Sequence, residues 1–315
     1  MKICVIGAGA LGCSIGGVLT EGGSDVWLID RNPAHVDAMN KVGLRMVDGG
    51  VERTVRVQAA TDCRGIGVAD LVIVLVKSFH TRDAIEAAAP VIGDHTLVLS
   101  LQNGLGHEDI LAEVVSRHRV LAGKTYAGGV LLGPGRIRIG TRGKQTHIGE
   151  LDGAVTERAQ AIADTFTRSG LLTTVSPNIM GTMWDKLLIN VATGALAGIT
   201  GLTYGDLYDV PEVEACAVAA VAEAMAVARA SGIRLSIVEA SDAWRMAAEG
   251  LPAEFKTSVL QSLENGSVTE IDFINGSVVR WGQRCGVPTP VNQALIACIR
   301  GIERRLAGQT TRAAA

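Results

Sequence analysis

The 315 residues carry a formal net charge of −3, with 48% hydrophobic and 19% charged residues and 38 glycines. That apolar content excludes a disordered chain. The weakly acidic balance, without Lys/Arg runs or interleaved aromatics, argues against a nucleic-acid partner. The length suits two domains better than one.

The chain opens on "KICVIG", a short apolar strand followed at once by "GAGALG". A Gly-interrupted apolar run of this size is too short for a signal peptide or a membrane span, so the expected location is cytoplasmic. "GAGALG" fits G-x-G-x-x-G in the context the motif needs, with a strand before it and a helix after it. Gly7 would permit the tight turn and Gly9 would let backbone approach a pyrophosphate. Gly12 would let helix and strand pack closely, with the phosphates at the helix N-terminus. The next strand, "DVWLID", ends on Asp30 beside Arg31. An acid there usually holds both ribose hydroxyls of NAD and repels a 2′-phosphate, whereas an adjacent Arg stacks on adenine or binds that phosphate. Both signals are present, and Asp30 tips the reading towards NAD.

Further on, "DLVIVLVKS", "TRDAIEAAAPVIG", "TLVLSLQNG", "HEDILAEVVSR" and "VLAGKTYAGGVL" alternate strand-like and helix-like character. Short continuous apolar strands between helices indicate a doubly wound parallel sheet buried on both faces. "RIRIGT" and "THIGE" read as an antiparallel extension of that sheet, and "LLTTVSP" closes it. The strand ends deliver Lys77 and Asn103, where an open α/β sheet binds its ligand. For Lys77 the alternative is a solvated strand end.

After Pro177 the spacing is helical almost throughout. The expected division is therefore an α/β domain at residues 1–176 and an all-helical domain at 177–315, with "GQTTRAAA" frayed at the end. In "WDKLLINVATG", Lys186 and Asn190 share one helix face. Beside apolar neighbours Lys186 is a candidate proton donor, or else a snorkelling surface Lys. "VTEIDFINGSVV" reads as one helix on which Glu270 and Asp272 point to different sides. Six dispersed cysteines, with no C-x-x-C pair, read as reduced, mostly buried thiols. Six scattered histidines offer no metal-ligand set, so no metal is expected.

Taken together, "GAGALG", "VKS", "LQNG", "WDKLLIN", "TSVLQ", "TEIDFINGSVV" and "GVPTPVN" occur in the order and spacing of one family. The chain resembles the ketopantoate reductases (2-dehydropantoate 2-reductases) over essentially its full length. The resemblance implies a Rossmann domain followed by an all-α domain of the 6-phosphogluconate-dehydrogenase-like kind, with the active site in the cleft between them. It implies hydride transfer from NAD(P)H to the ketone of a small 2-oxo acid, in pantothenate biosynthesis, and a homodimer through the helical domain. Gly7, Ala8, Gly9, Ala10, Leu11 and Gly12 would hold the pyrophosphate, and Asp30 and Arg31 the adenosine end. Lys77, Asn103 and Ala127 would line the remainder of the cofactor site.

By the same resemblance Lys186 would protonate the carbonyl oxygen. Asn190, Ser258 and Asn103 would hold the oxo acid, and Glu270 would contact its hydroxyl or the nicotinamide side. The family mostly uses NADPH, which Asp30 does not favour. Where ketopantoate enzymes often carry an Asn this chain has Gly194, and Tyr204 stands at another substrate-side position. These departures leave two alternatives beside ketopantoate reductase: a paralogous 2-hydroxy acid dehydrogenase with another small substrate, or a non-catalytic NAD(P)-sensing protein.

Overall fold

The computed structural model describes residues 1–313. β1 (Lys2–Ile6), α1 (Ala10–Glu21) and β2 (Asp25–Ile29) form the first βαβ unit, and α2 (Pro33–Val42) follows it. Next come β3 (Leu44–Asp48), β4 (Val51–Val55), β5 (Gln58–Ala60), β6 (Leu71–Val74), α3 (Thr81–Ala87), β7 (Leu97–Ser100) and α4 (His107–Val115). β8 (Val120–Thr125), β9 (Gly128–Gly133), β10 (Arg136–Gly140), β11 (Thr146–Glu150), α5 (Glu157–Arg168) and β12 (Thr173–Val175) complete this part.

The main sheet has eight strands in the order β12-β11-β8-β7-β6-β1-β2-β5. From β8 to β5 every neighbouring pair is parallel. Only β11, against β8, is antiparallel. Alternation along the strands sends Ile3, Val5, Leu28 and Leu99 into one core layer, and Cys4, Ile6, Val72 and Val74 into another. Both faces are apolar, so both must be covered, which is why these strands read as continuous hydrophobic runs. The strand order reverses between β1 and β6, the position at which doubly wound sheets bind ligands.

A second sheet, ordered β4-β3-β10-β9, was not anticipated. β10, the "RIRIG" segment, belongs here rather than to the main sheet. It pairs antiparallel with β9 and parallel with β3. Of the expected antiparallel extension only β11 joins the main sheet. α1 lies between the sheets, and its adjacent glycines show why. A Cβ on Gly16 would run into Leu28 of β2, and one on Gly17 would sit 2.5 Å from the Met46 sulfur of β3.

Beyond Val175 the described residues contain only helices. They are α6 (Ile179–Thr200), α7 (Tyr204–Tyr208), α8 (Pro211–Ala230), α9 (Ala240–Ala248), α10 (Ser258–Glu264), α11 (Asn275–Cys285) and α12 (Pro290–Ala313), with a 3-10 turn at Ile271–Phe273. Trp184 of α6 meets Trp281 of α11 edge-on, with ring centroids 5.8 Å apart. Asp185 accepts the Ser236 backbone N–H at 3.0 Å, tying α6 to the segment before α9. No helix among the described residues is long and apolar enough to cross a membrane.

α12 runs through Ala313, within the segment expected to fray, and Ala314 and Ala315 lie outside the described residues. The cysteines are all free, but only Cys4, Cys13 and Cys63 are buried; Cys298 is exposed. The chain divides into two compact units. One comprises residues 1–102 and 107–179; the other comprises 180–315 together with Asn103–Gly106.

Candidate active site

The three glycines of the opening turn do three separate jobs. Gly7 has φ +98°, and a Cβ there would lie 2.7 Å from the Val76 nitrogen and 2.8 Å from the Leu75 carbonyl carbon, so the turn presses on the segment after β6. A Cβ on Gly12 would collide with the Gly7 carbonyl oxygen. Gly9, the residue before α1, has nothing within 4 Å of its Cβ position. No side chain caps this helix and no acid lies in its first turn. Its leading N–H groups and positive dipole end are therefore available to a phosphate. Open space above Gly9, backed by an uncapped helix, fits the pyrophosphate of a dinucleotide.

At the end of β2 Asp30 is half-buried and accepts the Asn32 backbone N–H through Oδ1 at 2.9 Å. Asn32 in turn caps α2 by accepting the Ala34 N–H at 3.1 Å. The carboxylate is thus held at the strand end, and Arg31 beside it is exposed. Lys77 does not close its strand as the apolar run suggested. β6 stops at Val74, and Lys77 lies three residues later, exposed, just before a 3-10 turn. Ala127 is buried, and its N–H donates to Thr125 Oγ1 at 3.0 Å.

In the helical unit the central contact is between Lys186 and Asn103. Lys186 Nζ donates to Asn103 Oδ1 at 2.8 Å. α6 supplies the Lys because Leu187 and Leu188 are buried beside it, which fixes the helix rotation. The short Asn103–Gly106 segment supplies the acceptor. Leu105 N–H donates to Phe273 O at 2.9 Å, and Ser277 Oγ donates to Leu105 O at 2.8 Å. Gly104, at φ +91°, rests its backbone on the Phe273 carbonyl where no Cβ would fit. Asn103 is therefore pinned to the stretch that carries Glu270.

That stretch is not the expected single helix. Glu270 precedes the 3-10 turn, Ile274 has φ −104° and ψ −95°, and α11 starts only at Asn275. The placement of Glu270 and Asp272 on different sides of one α-helix therefore does not apply. Asp272 is committed elsewhere, accepting from Arg300 at 2.6 Å.

Asn190, half-buried, lies one turn after Lys186. Thr193 and Gly194 continue this face of α6. Thr193 Oγ1 and the Tyr204 hydroxyl are 3.1 Å apart, and Tyr204 packs on Phe255 with ring centroids 4.9 Å apart. Burial pushes the Tyr204 phenol above its ordinary pKa, and the Thr193 bond only partly opposes this. A Cβ on Gly194 would be 3.4 Å from Val259 Cγ2. Ser258, the exposed first residue of α10, follows the capping Thr257, whose side chain accepts the Leu260 N–H at 3.2 Å. Among the described residues no His, Cys, Asp or Glu cluster could hold a metal.

Comparison with known proteins bears on this arrangement. Residues 3–153 match the family model for ketopantoate reductase PanE/ApbA, and 178–303 match that for its C-terminal region. A 2-dehydropantoate 2-reductase of Pyrococcus horikoshii is 35% identical over 309 residues, covering 96% of this chain and 98% of that protein. The chain belongs to the ketopantoate reductase family. The crystal structure of a PanE/ApbA family ketopantoate reductase from Ralstonia eutropha shares 37% identity at a TM-score of 0.88, covering 98% of this chain and 100% of that one. A ternary structure of D-mandelate dehydrogenase with NADH and anilino(oxo)acetate shares 28% identity at a TM-score of 0.89, with 98% and 100% coverage.

The candidate residues thus lie in two separately packed units: Gly7–Gly12, Asp30, Arg31, Lys77 and Ala127 in the one that carries the sheets, and Lys186, Asn103, Asn190, Ser258 and Glu270 in the helical one. Sequence reasoning missed the buried polar groups that hold these residues, His35 and Cys13 beneath the glycine turn and Thr193 against Tyr204. Their partners are backbone atoms or distant side chains, for which no local pattern exists.

Proposed function

We propose that the chain is a 2-dehydropantoate 2-reductase, reducing the ketone of a small 2-oxo acid with NAD(P)H. The observation that carries this reading is the 2.8 Å bond between Lys186 Nζ and Asn103 Oδ1. It holds a donor with protons to give at a fixed point on α6, beside the buried Leu187 and Leu188. The nicotinamide, when bound, supplies the hydride. Gly7–Gly12 would bind the pyrophosphate, Asp30 and Arg31 the adenosine end, and Lys77, Asn103 and Ala127 the rest.

Hydride arriving at a ketone carbon leaves alkoxide charge on oxygen. Lys186 stabilises that charge more than it stabilises the neutral ketone, and then donates its proton to the oxygen. Asn103 aims the ammonium. Asn190 and Ser258 supply uncharged donors suited to the acid's carboxylate, and Glu270 takes the hydroxyl or nicotinamide side.

Two features favour a second reading, a paralogue acting on a different 2-oxo acid. Gly194 offers no side-chain donor one turn after Asn190, and the Tyr204 hydroxyl is engaged by Thr193 in an aromatic setting. One test separates these readings. The purified protein is assayed with ketopantoate and a panel of aliphatic and aromatic 2-oxo acids, each with NADH and with NADPH. The highest kcat/KM on ketopantoate is the result expected. A clear preference for another acid establishes the paralogue, and cofactor binding without any turnover leaves only a sensor.

A further inference from the structure

Beneath the glycine turn lies a buried polar network that the catalytic reading does not use. His35, on α2, is 3% exposed. Its Nδ1 accepts the Gly135 backbone N–H at 3.0 Å, which in the neutral ring puts the proton on Nε2. Nε2 lies 3.0 Å from the Ala8 carbonyl oxygen and donates to it. Cys13, in the first turn and a half of α1, donates its thiol to the same oxygen at 2.9 Å. Its other acceptor, Met39 Sδ at 3.9 Å, is a weak one. Burial, with Asp30 adding to it, pushes the Cys13 thiol up to about 12, so it remains a donor.

Two donors thus draw the Ala8 carbonyl into the core. No peptide bond among the described residues is cis. In a trans peptide the carbonyl and the following N–H point in opposite directions. The inward carbonyl therefore turns the Gly9 N–H the opposite way, out of the core, at a residue whose Cβ position is also open. The network also reaches the second sheet. Gly135 sits in the β9–β10 turn at φ +63°, and its carbonyl accepts the Arg45 N–H of β3 at 2.8 Å.

We propose that His35, with Cys13, is a positioning residue for the cofactor: it fixes the Ala8–Gly9 peptide plane so that the Gly9 N–H faces the pyrophosphate. The proposal rests on the reading of the glycine turn as the dinucleotide site. It assigns His35 to cofactor affinity and not to the chemical step.

The test compares wild type with His35→Leu, His35→Gln, Cys13→Ala and Cys13→Ser. NADH and NADPH dissociation constants are measured by cofactor fluorescence, together with KM for cofactor, kcat at saturating cofactor, and Tm. His35→Leu leaves a buried carbonyl and a buried N–H each short of a partner, and should weaken cofactor binding by about tenfold or more. Its kcat should stay within about twofold. Gln, whose amide offers an N–H to donate and a carbonyl oxygen to accept, can replace both bonds of the neutral ring and should restore most of the affinity. Cys13→Ser should bind more tightly than Cys13→Ala, which keeps the test alive should His35→Leu fail to fold.

Wild type that binds neither cofactor overturns the dinucleotide reading, and this proposal with it. Wild type that binds, with variants that bind equally well, overturns the proposal alone. So does a fall in Tm and kcat without a selective loss of cofactor affinity, or a Gln variant no better than Leu.

Discussion

Lys186 and Gly9 carry opposite expectations, because one acts through its side chain and the other through the lack of one. Lys186→Ala should lower kcat by about 10²–10⁴-fold, the usual contribution of a positioned general acid, while the cofactor dissociation constant stays near wild type. Lys186→Arg should rescue poorly, since a guanidinium keeps the charge but does not give up its proton. If Lys186 only packs, both variants will change Tm and leave kcat near normal. Gly9→Val places its side chain in open space and should fold with a wild-type Tm yet lose cofactor binding. Gly12→Ala drives a Cβ into the Gly7 carbonyl and should fail in stability instead. Calorimetric Tm and cofactor titration of the two variants side by side make that contrast measurable. Asp30→Ala should raise NADPH use relative to NADH by removing a carboxylate that repels a 2′-phosphate. An unchanged kcat/KM ratio for the two cofactors would assign the choice to Arg31.

One helix and one strand show how much single contacts constrain an element. On α6, a Cβ on Gly198 would lie 2.8 Å from Val259 Cγ1 and 2.9 Å from Ile299 Cδ1, whereas at Gly194 the nearest atom is 3.4 Å away. Gly198→Val should therefore cost about 1–3 kcal/mol by overpacking, read from denaturant unfolding. Gly194→Asn should fold, and it should shift kcat/KM towards ketopantoate if the missing amide sets substrate choice. At the end of β11, Glu150 is buried, which alone would raise its pKa. Bonds from Arg158 at 2.7 Å and Thr156 at 2.6 Å outweigh that and hold the carboxyl below its ordinary value. A depressed folded pKa means the stabilisation is present above the ordinary Glu value of about 4.3 and is lost as pH falls through the folded value. The Tm gap between wild type and Glu150→Gln should accordingly be largest near neutrality and close on acidification below about pH 4.

For the molecule as a whole, legibility in the sequence followed the range of the interactions. The glycine turn, the alternation of strands and helices, and the Lys186–Asn190 face depend on residues close together in the chain, and all could be read. The second sheet could not, because β3 finds its parallel partner β10 some ninety residues later. The helical spacing of "TEIDFINGSVV" puts Glu270 on a helix, but the backbone at Ile274 breaks it. Nor did any pattern show His35 holding Ala8, or Asn103–Gly106 packing with helices that begin more than seventy residues downstream. That four-residue segment has a practical meaning for anyone recombining relatives of this chain. A helical half exchanged at residue 179 would arrive with its own Lys but find a foreign loop where Asn103 should stand. A functional chimaera must therefore inherit 103–106 and 180–315 from the same parent, as a graft with three junctions, and crossovers at the single obvious seam should yield folded hybrids with misaimed lysines.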